Sequence, residues 1–169
     1  PLGDYSDSME ILSTGFFEKY DFVEIFCAGH PEGNRDIDPD YGEKNVMNAL
    51  KWKKSFAEGT NIKISLTTQF CFEIKPIMEW EKKLAQEDLH FPINIGLAGP
   101  AKLQTMIKYA MLCGVGPSLR VLEKRAKDLT QLILPYTPRN LIEDIVLYKK
   151  SNKNSNINRL HFFPLGGIT

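Results

Sequence analysis

The chain lacks most of the features that mark a specialised protein. Its 21 Lys and Arg residues balance 21 Asp and Glu, so no net field draws it to nucleic acid or to an anionic membrane surface. No apolar run reaches the roughly 20 residues of a membrane span, and the first residues do not have the basic, apolar, small-residue order of a signal peptide. Cysteine is scarce: Cys27, Cys71 and Cys113 are an odd number without metal-ligand spacing. Two of them lie in apolar, strand-like runs, where a buried free thiol is the expectation. A reducing, cytoplasmic setting is expected accordingly. No Walker loop, Ser-His-Asp set or zinc spacing can be assembled, and no Gly-x-Gly-x-x-Gly follows a strand-like run.

What is present is ordinary globular material. Hydrophobic residues make up 43% and charged residues 25% of 169 positions, enough to bury one substantial core. A single domain over 1–169, with no second domain, is expected.

The pattern along the chain alternates. Ser6, Asp7 and Ser8 offer N-caps for a helix in which Met9, Leu12 and Phe16 recur at helical spacing. Residues 22–28 (FVEIFCA) read as a strand, and HPEGNRDIDPDYG after them reads as a loop. Residues 43–58 fit a helix with Val46, Ala49, Leu50 and Ala57 inward and Gly59 as its C-cap. A strand over 62–70 and a helix over 76–86 follow, the helix turning Ile77, Trp80 and Leu84 inward. Residues 91–97 form a third strand. AGP then opens a helix with Leu103, Met106, Ile107 and Ala110 on one stripe. After the break CGVGPS comes a helix with Leu119, Leu122, Ala126, Leu129 and Ile133 inward, then another marked by Leu141, Ile142 and Ile145. SNKNSNIN reads as a polar linker, and residues 159–165 (RLHFFPL) as a fourth strand leading into Gly166 and Gly167.

Strands alternating with helices imply an α/β fold with a parallel sheet. An open doubly wound sheet and part of a closed barrel both satisfy that order, though the missing glycine fingerprint weakens the dinucleotide-binding open sheet. With a helix before its first strand and none after its last, the chain is expected to be part of a larger object. Its open sheet edges call for a partner or the remainder of a domain, and leave homo-oligomerisation open.

In a (β/α)8 barrel the chemistry sits at the C-terminal strand ends, and here each end carries polar or small residues. His30 and Glu32 can form an acid–base pair, or can simply fix a tight Pro/Gly loop. Gln69, at the end of an apolar strand, can donate to and accept from a heterocycle edge, or can bond a neighbouring loop. Trp52 and Trp80 read as packing residues. KWKK at 51–54 reads as a solvated helix face from which one lysine could reach a phosphate.

AGHPEG (28–33), TQFCFE (68–73), PINIGLAGP (92–100), CGVGPS (113–118) and HFFPLGG (161–167) together resemble the methylenetetrahydrofolate reductase family, especially its short bacterial branch. The resemblance implies a (β/α)8 TIM barrel of which this chain covers roughly the last four strands, a half-barrel. It implies FAD at the C-terminal face and reduction of 5,10-methylenetetrahydrofolate to 5-methyltetrahydrofolate with NADH or NADPH, in one-carbon metabolism. By this likeness Tyr5, Ser6, Ala28, His30, Asn34 and Lys53 would contact the cofactor, and Gln69 with Phe70 the folate. No catalytic residue would lie in this chain, because the family's general acid belongs to the absent N-terminal half, which is therefore an expected partner. The chain departs from the family pattern at Asn34-Arg35, where relatives often carry His-Pro. It departs also at Val46, where many place an acidic contact, and at Leu103, where some place an aromatic. Two alternatives stand: a tetrahydrofolate-dependent methyl-transfer relative without flavin, or a non-catalytic half-barrel module needing a partner chain.

Overall fold

A computed structural model describes residues 3–40, 42–113, 122 and 136–165. Four parallel strands form one sheet in the order β1-β2-β3-β4: β1 Glu24–Gly29, β2 Lys63–Cys71, β3 Ile93–Ala98 and β4 Ile157–Phe163. The described helices are α1 Ser8–Leu12, α2 Phe16–Lys19, α3 Lys44–Gly59, α4 Lys75–Gln86, α5 Leu103–Leu112 and α6 Arg139–Ser151. None of them is long and apolar enough to cross a membrane.

Alternation along each strand separates two faces. Cys27, Ile64, Leu66, Ile93, Ile95 and Leu97 face one way and pack with Val46 and Leu50 of α3, Ile77, Trp80 and Leu84 of α4, and Leu141 and Ile145 of α6. All three helices therefore cover the same face, as crossovers of one hand require when each strand joins its sequence neighbour. Gly29 is needed in this layer, because a Cβ there would stand 2.8 Å from the Trp80 ring. Burying each aliphatic side chain contributes about 1.5–3 kcal/mol. The other face carries Glu24, Phe26, Ser65, Thr67, Asn94, Arg159 and His161 in register. A second apolar cluster, with Phe70, Ala98, Met106 and Leu122 fully buried, joins α5 to the C-terminal strand ends.

Local chemistry sets the helix limits. The Asp7 carboxylate accepts the Met9 and Glu10 N–H groups to start α1. Gly15, at φ +70°, breaks the expected first helix in two and leaves Phe16 more than half exposed. The buried Asp38 carboxylate takes the Asn45 and Val46 N–H groups at 3.0 and 2.9 Å and so starts α3 from the preceding loop. Gly59 is the last residue of α3 rather than its cap. Thr60 caps it, donating its hydroxyl to the Phe56 carbonyl at 2.9 Å.

The strands begin or end within two residues of expectation. β3 starts at Ile93 because Pro92 has no N–H for the ladder, although its carbonyl still accepts from Leu66. β4 starts inside the expected linker because Ile157 is buried and pairs with Ile93, and Pro164 follows its last residue. The expected helix around Leu119–Ile133, the CGVGPS break and Gly166-Gly167 lie outside the described residues, Leu122 and Cys113 excepted.

Candidate functional site

A cleft of about 450 Å³ opens at the C-terminal ends of β1 and β2, bounded by the loop after β1, the end of α5 and Phe163. Residues from 28 to 36 and from 67 to 71 line it, so two segments almost 40 positions apart meet there.

The β1 side is a fixed turn. The Gly33 N–H bonds the His30 carbonyl at 3.1 Å, with Gly33 at φ +77°, a conformation that favours glycine. Asn34 then folds the loop back, its Oδ1 accepting from the Asp36 and Ile37 N–H groups. The Asn34 amide nitrogen stands 3.4 Å from His30 Nδ1. As donor it assigns the ring proton to Nε2. Burial, and then the charge of Lys53, hold the His30 imidazole below its ordinary pKa, which favours the neutral ring. The loop-fixing role is thus visible for His30, and the charge of Glu32 is felt at Cys71.

The β2 side is built on a bulge. Thr67 pairs with Asn94 and Phe70 with Gly96, so Thr68 and Gln69 together stand opposite Ile95. The Thr68 hydroxyl accepts the Gly96 N–H at 2.9 Å and donates to the Gln69 carbonyl at 2.9 Å. A Cβ on Gly96 would lie 2.4 Å from the Thr68 carbonyl oxygen and 2.6 Å from that of Gln69, so only glycine admits the bulged backbone. The Phe70 N–H donates to Gln69 Oε1 at 3.2 Å. That bond orients the carboxamide and leaves its Nε2 protons for a ligand. Phe70 itself is 1% exposed and meets Phe72 and Phe163 edge to face, so it forms the floor of the cleft. The Cys71 thiol donates to the Gly96 carbonyl, and burial pushes it up to about 12, which makes it an inert packing group.

Of the expected site residues, Ala28, His30, Asn34, Gln69 and Phe70 come together in this cleft. Tyr5 and Ser6 are exposed and do not line it. Lys53, expected by the resemblance at a cofactor-phosphate position, is 7% exposed. It does not line the cleft either, yet its charge acts on Cys27 and His30. Lys51 and Lys54 are the solvated members, paired with Glu87 and Asp88. Sequence reasoning missed Thr68 and Gly96. The signal was a lone glycine inside the apolar strand INIGLA, which marks a bulge or a close backbone approach. It also missed Met111 and Leu112, which the end of α5 contributes to the wall.

Among the described residues no group of His, Cys, Asp and Glu could hold a metal ion. No protein-family model matches the chain.

Proposed function

We propose that these residues form the folate-facing half of a flavin-dependent reductase resembling methylenetetrahydrofolate reductase, on the second half of a (β/α)8 barrel. One observation carries the reading: the AGHPEG and TQF segments, on which the resemblance rests, line the same cleft at the C-terminal strand ends. That is the end of the sheet at which barrel enzymes place their sites. Sequential strand order with the helices on one face is the arrangement a barrel needs and a doubly wound sheet lacks.

The donor set suits a flavin or pterin edge. Gln69 offers an uncharged amide, His30 an imidazole whose pKa burial lowers, and Ala28–Gly29 a stretch of wall with no side chain larger than a methyl. Ala28, His30 and Asn34 would hold FAD, with the Lys53 charge behind them, and Gln69 would hold the pterin ring over Phe70. Tyr5 and Ser6 stand outside this set. FAD, when bound, supplies the redox chemistry, and the protein orients it and excludes competing reactions. Gln69 would donate to the ligand from Nε2, with its Oε1 already held by the Phe70 N–H.

The test uses the complete protein that carries these residues. It is expected to bind FAD and to convert 5,10-methylenetetrahydrofolate to 5-methyltetrahydrofolate at the expense of NADH or NADPH. Methyl transfer to tetrahydrofolate from a flavin-free protein would replace the redox reading with the methyl-transfer one. Neither activity, with assembly on a partner chain, would favour a binding module.

A further inference from the structure

We propose that Thr68 is a positioning residue for Gln69, its hydroxyl fixing how the Gln69 amide meets the pterin-type heterocycle; this rests on the folate reading above. In an unbroken β2, Gln69 would share a face with Thr67, and Phe70 would turn toward the helices. The bulge instead puts Phe70 on the face of Asn94 and Gly96, with Gln69 at the cleft. Strand extension alone does not hold such a bulge, because it removes a ladder bond.

Thr68 supplies what the ladder loses. It is 1% exposed, and its hydroxyl accepts from Gly96 while donating to the carbonyl of Gln69. The Gln69 peptide is thereby tied to β3 through one side-chain oxygen. The Gln69 side chain is tied in turn to the Phe70 N–H. The chain of bonds runs Gly96, Thr68, Gln69, Phe70, and it uses the carboxamide oxygen while leaving the amide nitrogen to donate to a ligand. Valine at 68 has the same shape without the hydroxyl, whereas serine keeps the hydroxyl.

The complete protein is compared with Thr68→Val, Thr68→Ser, Gln69→Ala and Thr68→Val/Gln69→Ala. Flavin content is read from the visible spectrum, and kcat and KM with 5,10-methylenetetrahydrofolate as the varied substrate. Thr68→Val is expected to raise folate KM roughly tenfold, the scale of one lost hydrogen bond, with flavin content kept. Thr68→Ser is expected to stay within about twofold, and valine to add little once Gln69 is alanine. Unchanged KM in Thr68→Val, or full additivity with Gln69→Ala, overturns the positioning role. If Thr68→Val does not fold, the serine variant decides: folate KM raised as by Gln69→Ala also overturns it. Wild-type protein that neither binds FAD nor uses folate overturns the underlying reading instead, and leaves Thr68 a structural residue only.

Discussion

Arg159 on β4 stands 3.8 Å from the Glu24 carboxylate on β1, with two strands between them. It also lies 5.9 Å from the centre of the Phe26 ring. Three strand spacings amount to roughly 14 Å on a flat sheet, too far for an arginine side chain to span with ease. The sheet is therefore strongly curled toward the face that the helices leave uncovered.

Glu24 should report on this concave face. Its carboxylate is held below the ordinary range, first by the Ser65 hydroxyl, which donates at 2.7 Å, then by Lys63 and Arg159. Because the folded value is lowered, the stability Glu24 adds is complete above the unfolded value and is lost as pH falls through the folded one. A carboxyl-carbon NMR titration should show Ser65→Ala raising the Glu24 midpoint more than Arg159→Ala does. The opposite order would mean that curvature, not the local hydroxyl, sets the ionisation.

Gly96 and Gly33 should respond differently to alanine. At Gly96 the new methyl meets backbone oxygens that cannot move without undoing the bulge. Urea unfolding should show a loss of about 2–3 kcal/mol or more. At Gly33 nothing lies within 4 Å and only the positive φ is strained, costing about 1–2 kcal/mol. Equal losses at both sites would refute the steric account of Gly96.

Glu81 fastens the start of β4 to α4. Its buried carboxylate accepts from the Tyr148 hydroxyl at 2.7 Å, the Ser155 hydroxyl at 2.9 Å and the Asn156 N–H. Glu81→Gln removes one acceptor oxygen and the charge, and should cost about 2–3 kcal/mol in thermal or urea unfolding. A neutral result would show that the contacts re-form around the amide.

Burial, and then the Glu81 carboxylate, push the Tyr148 hydroxyl up to about 12. A raised folded value means that its stabilisation is full below the unfolded value near 10 and disappears as pH climbs through about 12. Tyrosinate absorbance should show one tyrosine ionising last, and Tyr148→Phe should abolish that late step.

The three thiols should separate by accessibility. Cys113 is exposed while Cys27 and Cys71 are buried, so one equivalent should react promptly with an aromatic disulfide reagent and two more only after unfolding. Prompt reaction of all three would contradict the burial of the Cys27 and Cys71 thiols.

The repeating frame was legible because periodicity reports which face is covered. Ile77, Trp80 and Leu84 recur at helical spacing and are buried, as are Leu103, Met106 and Ala110. Strand ends slipped by one or two residues, since a run such as FVEIFCA does not say where hydrogen bonding begins. The cleft-lining residues at the strand ends were legible from loop composition and resemblance. The bulge was not, because it depends on a side-chain bond between Thr68 and Gly96, 28 positions apart. Spacing alone does not tell Lys53 from the other two lysines of KWKK; only the resemblance set it apart.

Strand order equal to chain order bears on synthesis. Each strand can pair with the one made just before it, so the sheet can grow while the chain leaves the ribosome. The Glu81 fastening cannot, since Ser155 is made 74 residues later. At about 5–20 residues per second that is a wait of roughly 4–15 s. During that wait the Glu81 contacts are unmade, and β3, once made, is the edge that β4 will join.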